Sequence, residues 1–220
     1  MSLPKMLVYA SGGKKPGSGG SGFKGLVEAS RDGGVLKGEI AVVVSNNEHG
    51  GVFTKAEDLK VTFRHSPKGR TAADHQRLVE EFKIDYTILS GWLGFLEGHD
   101  PRTTINIHPA INLREFGGRH FHGHHVHEAV WEAFLDGRIT HTGVSMHFAT
   151  RKYDDPNAVF FQRRVPIDRS YRNAEGLGTI VNVVERLWQP EITNRVIHGE
   201  ISWDGEDPAS ITGADIEAAA

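Results

Sequence analysis

The sequence predicts an α/β fold: a Rossmann-like, mostly parallel sheet with helices on both faces and a mixed or antiparallel extension in the C-terminal half. Three observations predict it. Short, continuous, β-branched apolar runs, of which Ile40-Ala41-Val42-Val43-Val44 is the clearest, mark strands buried on both sides. Segments with helical apolar spacing alternate with these runs as far as Leu135. Beyond it, Thr142–Ala149 and Val159–Ile167 follow one another as strands with no helix between them, which calls for antiparallel pairing.

Met6–Ala10 is an apolar run stopped by Ser11-Gly12-Gly13, the first strand. A Gly/Ser/Lys loop runs to Gly22, and Phe23, Leu26 and Val27 then mark one face of a helix ending near Arg31-Asp32-Gly33-Gly34. Gly38–Ser45 is the second strand, bounded by Asn46-Asn47, and Lys60–Arg64 reads as the third. Thr71 is a good N-cap, and Ala72, His75, Leu78, Val79 and Phe82 keep helical spacing to about Lys83. Tyr86–Leu89 and Thr104–Ile107 are the fourth and fifth strands. Val126–Leu135 is helical, with Trp131 and Phe134 facing the core. In the second half, Arg163-Arg164 alternate on a strand and read as solvated, and Asn173–Leu187 is a helix that Pro190 kinks or ends.

The chain has 220 residues, which suits one domain: residues 1–220 read as a single unit with a core at 5–203 and a loosely held polar tail at 204–220. A formal charge of −3 leaves no basic footprint for nucleic acid. Without cysteine there is no disulfide, thiolate metal site or cysteine nucleophile. No apolar run approaches the roughly 18–20 residues of a membrane span, and five apolar residues after Lys5 are too few for a signal peptide. The cytoplasm is therefore the expected compartment, with a monomer or homodimer both open. Thirteen histidines and 26 glycines, about 12% against a usual level of about 7%, are the unusual counts.

Those glycines concentrate after the first strand. Gly17-Ser18-Gly19-Gly20-Ser21-Gly22 and Gly20-Ser21-Gly22-Phe23-Lys24-Gly25 both fit G-x-G-x-x-G between a strand and a helix. Such glycines let the backbone close on an anion while the helix N-terminus supplies amide donors. A flexible loop without ligand is the alternative. NAD is disfavoured because the second strand ends Val44-Ser45-Asn46-Asn47, with no acid for a ribose until Glu48. No Lys-Ser/Thr pair follows the last glycine, so it is not a Walker A loop.

Asn106 and His108 alternate at the end of the fifth strand, where doubly wound sheets bind ligands, and Pro109 stops the strand behind them. An amide and an imidazole pointing together into a crevice can polarise a carbonyl and hold an oxyanion. A satisfied strand-end polar pair is the plainer alternative. Thr142-Gly143-Val144-Ser145-Met146-His147-Phe148 followed by Asp154 adds a carboxylate able to orient His108. His147 itself follows the strand pattern and reads as a packed or hydrogen-bonded core residue.

Ile105-Asn106-Ile107-His108-Pro109, the Thr142-Gly143-x-Ser145-x-His147-Phe148 stretch and Asp154 resemble the folate-dependent formyltransferases. Chain length and the glycine loop are similar to the members that act on glycinamide ribonucleotide. The resemblance implies transfer of a formyl group from 10-formyltetrahydrofolate, as cosubstrate, to the primary amine of that ribonucleotide, with no metal. By position it implies Asn106, His108 and Asp154 as the catalytic trio. Asn106 and protonated His108 would stabilise the oxyanion, and Asp154 would hold His108 and help move a proton. It places Gly20, Ser21, Gly22 and Phe23 at the phosphate, Asn182 and Glu185 at the ribose, and His125 and His127 along the substrate pocket. Arg70, Leu93, Gly94, Phe95 and Leu96 fall on the folate side. The chain departs from the family at Gly94, where an arginine is usual, at Asp155-Pro156-Asn157, and in the added Lys14-Lys15-Pro16-Gly17-Ser18.

His120, His122, His124, His125 and His127 put five histidines within eight residues. Zinc, a substrate-lining loop and surface decoration are the three readings of that density. The rival functions are formyl transfer to another amine such as an amino-sugar nucleotide, a metal-dependent hydrolase using the histidine loop, and a nucleotide-binding regulatory module without turnover.

Overall fold

The computed structural model describes residues 2–31, 33–67, 71–121 and 123–217. The first half alternates strand and helix: β1 (Lys5–Tyr9), α1 (Ser21–Ala29), β2 (Glu39–Ser45), α2 (Gly51–Asp58), β3 (Thr62–His65), α3 (Ala72–Phe82) and β4 (Tyr86–Ser90). Then come β5 (Thr104–His108), a single turn α4 (Leu113–Phe116), α5 (His124–Leu135), β6 (His141–Phe148), β7 (Val159–Pro166), the long α6 (Ala174–Ile197) and β8 (Asp215–Ile216). Among the described residues the strands form one sheet in the order β3-β2-β1-β4-β5-β6-β7-β8. Pairing is parallel from β3 to β5, antiparallel for β5–β6 and β6–β7, and parallel again for β7–β8.

Strand alternation explains why the sheet needs cover on both sides. Met6, Val8 and Ala10 join one buried cluster with Phe23 and Leu26 of α1, Val126 and Val130 of α5, and Leu177, Val181 and Ile192 of α6. Leu7 and Tyr9 point the other way, into a smaller cluster with Val42, Val44, Leu78 and Leu96. Both faces are apolar, so these strands read as continuous runs. β1 sits in the middle, with the chain winding to β2 on one side and to β4 on the other. The crevice at the carboxyl ends of β1 and β4 is therefore the switch point of a doubly wound sheet. Among the described residues no helix is long and apolar enough to cross a membrane.

Four local expectations need correction. α2 is a helix that periodicity does not announce, because Val52, Phe53 and Ala56 are too few apolar residues over eight to declare a face. α6 runs through Pro190 to Ile197: Pro190 is buried, and Ile192, Val196 and Ile197 bury enough surface beyond it to offset one missing backbone hydrogen bond. The tail is not loose over its described residues 204–217: the Asp207 carbonyl accepts from Trp203 Nε1 at 2.8 Å, and β8 pairs with β7. Nor is Arg163 solvated. Its guanidinium donates to both carboxylate oxygens of Asp215, at 2.9 and 2.6 Å. It also lies 4.5 Å from the Phe161 ring centre and 4.4 Å from that of Trp188.

Candidate active site

β5 delivers Asn106 and His108 to one face because they are two residues apart. β6 runs antiparallel beside it, with His147 opposite Asn106 and Ser145 opposite His108. The connection from β6 to β7 then returns Asp154 to that face, with its backbone in the left-handed region at φ 45°. A non-glycine residue held there is strained, a feature found where surrounding structure fixes a functional side chain.

Asp154 is the hub. Its Oδ1 accepts from Asn106 Nδ2 at 3.1 Å and lies 3.4 Å from His108 Nδ1 and 3.3 Å from His147 Nε2. Its Oδ2 accepts from the Gly118 backbone N–H at 2.9 Å. Burial opposes ionisation of this carboxyl, but hydrogen bonds and charge from His108 and His147 outweigh burial and hold it well below the usual carboxylate range. His108, only 4% exposed, donates from Nε2 to the Phe116 carbonyl at 2.7 Å. Both of its ring nitrogens thus face acceptors, an arrangement that the doubly protonated ring satisfies in full. His147 Nδ1 donates to the Phe148 carbonyl at 2.9 Å, and its Nε2 lies 3.0 Å from Asn106 Nδ2. That nitrogen accepts from the amide when the ring is neutral and donates to Asp154 when it is charged.

The group opens into a cleft enclosing about 760 Å³ of space open to solvent. One wall is the segment after β4, with Trp92, Leu93, Gly94, Phe95 and Leu96. Tyr153 and Phe121 complete an apolar lining against Asn106, His108 and Asp154. The Phe95 and Tyr153 rings pack at a tilt, with centres 5.0 Å apart. Gly94 passes so close to the Trp92 indole that a Cβ there would stand 3.0 Å from the ring. A larger residue at 94 therefore needs Trp92 to move.

On the glycine-loop side, α1 begins after Gly20, whose φ of 73° suits glycine, with no side-chain cap and no acid in the first turn. Ser21 Oγ lies 3.4 Å from Asn182 Oδ1, and Asn182 Nδ2 donates to Glu185 Oε2 at 3.3 Å. Burial pushes the Glu185 carboxyl up to about 7, against the opposing effects of the Asn182 hydrogen bond and the His108 charge. Ser90 Oγ donates to Gln189 Oε1 at 3.0 Å, and a Cβ on Gly22 would stand 2.2 Å from that hydroxyl. Gln189 thus ties α6 to the end of β4, against the first turn of α1.

The structure brings Asn106, His108 and Asp154 together, places Leu93–Leu96 on one wall, and joins Ser21 to Asn182 and Glu185. Phe23 differs from expectation: the residue is wholly buried in the core, so its ring does not face a ligand. His125 is exposed beside Glu128, 3.0 Å away, and does not line the cleft. His127 packs against Gly178, and its Nδ1 is buried without a partner. Burial, with the charges of His124 and His108, lowers it to about 4, which leaves it neutral at pH 7. Arg70 and His122 lie outside the described residues. Among the described residues no three His, Asp or Glu side chains are grouped to hold a metal. Sequence reasoning missed His147 as a partner of Asp154, the Phe116 carbonyl, the Gly118 amide and Gln189. Only His147 had a signal, the two-residue spacing of Ser145 and His147 that repeats that of Asn106 and His108.

The formyl transferase family matches residues 16–192. The chain is 29% identical over 216 residues to the chloroplastic phosphoribosylglycinamide formyltransferase of Vigna unguiculata, covering 90% of this chain and 62% of that protein. It is 29% identical over 200 residues to the phosphoribosylglycinamide formyltransferase of Schizosaccharomyces pombe, covering 81% of this chain and 92% of that one. A solved structure of glycinamide ribonucleotide transformylase 1 from Symbiobacterium toebii superposes with a TM-score of 0.76 at 20% identity, over 96% of this chain and 93% of that chain. The chain spans less than two thirds of the length of the first curated relatives it matches.

Proposed function

The chain belongs to the formyl transferase family, and on that premise we propose that it transfers the formyl group of 10-formyltetrahydrofolate to the primary amine of glycinamide ribonucleotide. The observation that carries this reading is the Asn106–His108–His147–Asp154 group between an apolar wall and an uncapped glycine-loop helix. In this reading the pterin lies against Leu93–Leu96, the phosphate rests on the first turn of α1, and Asn182 with Glu185 holds the ribose hydroxyls.

The amine attacks the formyl carbon, and the carbonyl oxygen becomes an oxyanion. Asn106 Nδ2 and His108 are the donors within reach of that oxygen. Both already serve other acceptors, Asp154 and the Phe116 carbonyl, so the formyl oxygen competes with groups on the β6–β7 connection and on α4. Asp154 keeps His108 oriented throughout. Collapse breaks the bond from the formyl carbon to the folate nitrogen. The amine proton passes to that nitrogen, through water held by Asp154. The products are the formylated ribonucleotide and tetrahydrofolate.

A coupled absorbance assay with both substrates tests the reading, with and without a chelator. Chelator-insensitive turnover that depends on the ribonucleotide is expected. Formyl-donor binding without turnover on this amine would transfer the reaction to another acceptor, and absence of donor binding would overturn the reading.

A further inference from the structure

Resting on the ribonucleotide reading above, we propose that Lys55 of α2 is the cation that neutralises the substrate's phosphate at the glycine loop, exchanging its hold on the loop for the anion. The position of this side chain makes the case. Its methylenes cross the start of α1, with Cδ 3.5 Å from where a Cβ on Gly20 would stand. Its ammonium then donates to the Gly17 carbonyl at 2.9 Å. Among the described residues no carboxylate pairs with it, so a full charge is placed over the uncapped turn against only a neutral oxygen.

The receiving end is built to match. Gly20 caps α1 without a side chain, and the first turn carries no acid, which leaves its amides and partial positive charge for an anion. Behind that turn lies Gln189, 1% exposed, with Oε1 3.2 Å from the Cβ position on Gly22 and its Nε2 buried without a partner. The loop is ordered by its own bonds. Gly13 N–H donates to Ser18 O at 2.8 Å, Ser18 Oγ–H to Lys15 O at 2.8 Å, and Gly51 N–H to Gly13 O at 3.1 Å. Releasing Gly17 therefore does not dissolve the loop. A phosphate oxygen is a stronger acceptor than a peptide carbonyl, so the ammonium moves to it when the substrate arrives.

Steady-state kinetics with the ribonucleotide and with its dephosphorylated counterpart test this. Lys55→Met should raise KM for the phosphorylated amine about tenfold or more, the scale of a lost charge-assisted hydrogen bond. kcat, the formyl-donor KM and kcat/KM for the dephosphorylated amine should stay unchanged. Lys55→Arg should recover most of the loss, and neutralising Lys14 and Lys15 together should raise KM less than Lys55→Met does. An equal loss with both acceptors, or no loss with either, overturns the assignment. Inorganic phosphate titrated calorimetrically into wild type and Lys55→Met reads the same contact without turnover, and equal binding again overturns it. An inactive wild type that still binds phosphate through Lys55 would instead sink the ribonucleotide reading and leave the cation in place.

Discussion

Asp154 gathers three side chains and a backbone amide onto two oxygens, so its substitution has consequences that separate chemistry from stability. His108→Ala or Asp154→Ala should each cost at least about 10²-fold in kcat, on the scale of a lost acid–base or oxyanion group. Near-normal turnover in both would refute the mechanism. Asp154 is held below its ordinary value in the folded state, so its contribution to stability is present above about pH 4 and is lost as pH falls below that. The stability gap between wild type and Asp154→Asn, followed by denaturant unfolding, should therefore narrow in acid. Glu185 has the opposite sign. Its folded carboxyl is raised to about 7, so it resists ionisation and its burial costs stability as pH climbs from about 4.5 to 7. The charged form accepts ribose hydroxyls better. KM for the ribonucleotide should fall as pH rises through about 7, and Glu185→Gln should flatten that profile.

At the scale of elements, the C-terminal strand adds to its backbone pairing with β7 a set of side-chain ties, of which Arg163 makes the shortest. Arg163 reaches from β7 to Asp215 of β8 while packed against Phe161 and Trp188. Arg163→Ala removes an ion pair whose carboxylate is more than a third exposed, together with the stacking of the guanidinium, at a cost of about 1–2 kcal/mol. Thermal unfolding should show the loss and limited proteolysis should nick residues 204–217 first, while kcat stays unchanged because β8 lies three strands from β5, which carries Asn106 and His108. An unaltered cleavage pattern would mean that β8 is held by something else. α6 makes a related point. Its apolar inner face continues past Pro190, so burial decides where the helix ends and proline only bends the odds.

For the whole molecule, the site is assembled from parts distant in sequence: the loop after β1, the ends of β4 and β5, the β6–β7 connection and α6. Ligands that bridge those parts bind only the folded chain. At a hundred times Kd each should add about 2.7 kcal/mol, roughly 5–11 °C in Tm for a chain of this length. Differential scanning fluorimetry with the formyl donor alone and then with the ribonucleotide measures this. A donor that leaves Tm unchanged at that excess would deny that the Leu93–Leu96 wall is its site.

The five parallel strands of the doubly wound half were legible in the sequence because parallel strands covered on both faces must be apolar throughout. Ile40–Val44 and Met6–Ala10 have no other soluble use. Asn106 and His108 were legible for the same local reason: period-two geometry puts them on one face wherever that strand lies. What escaped was every relation that depends on which strand lies beside which. His147 became a partner of Asp154 because β6 pairs antiparallel with β5 in a particular register, and a shift of one residue would have turned it away. The Phe116 carbonyl and the Gly118 amide carry no side-chain signature, so the loop that holds His108 and Asp154 was invisible in the sequence. Arg163 and the tail looked solvated because polar residues read as surface until a partner is found, and Asp215 lies 52 residues away. The sequence by itself determined the residue types that could do this chemistry and the strands that present them. The tertiary structure decided their neighbours, because hydrogen bonds and burial depend on distances that chain folding sets and local pattern does not.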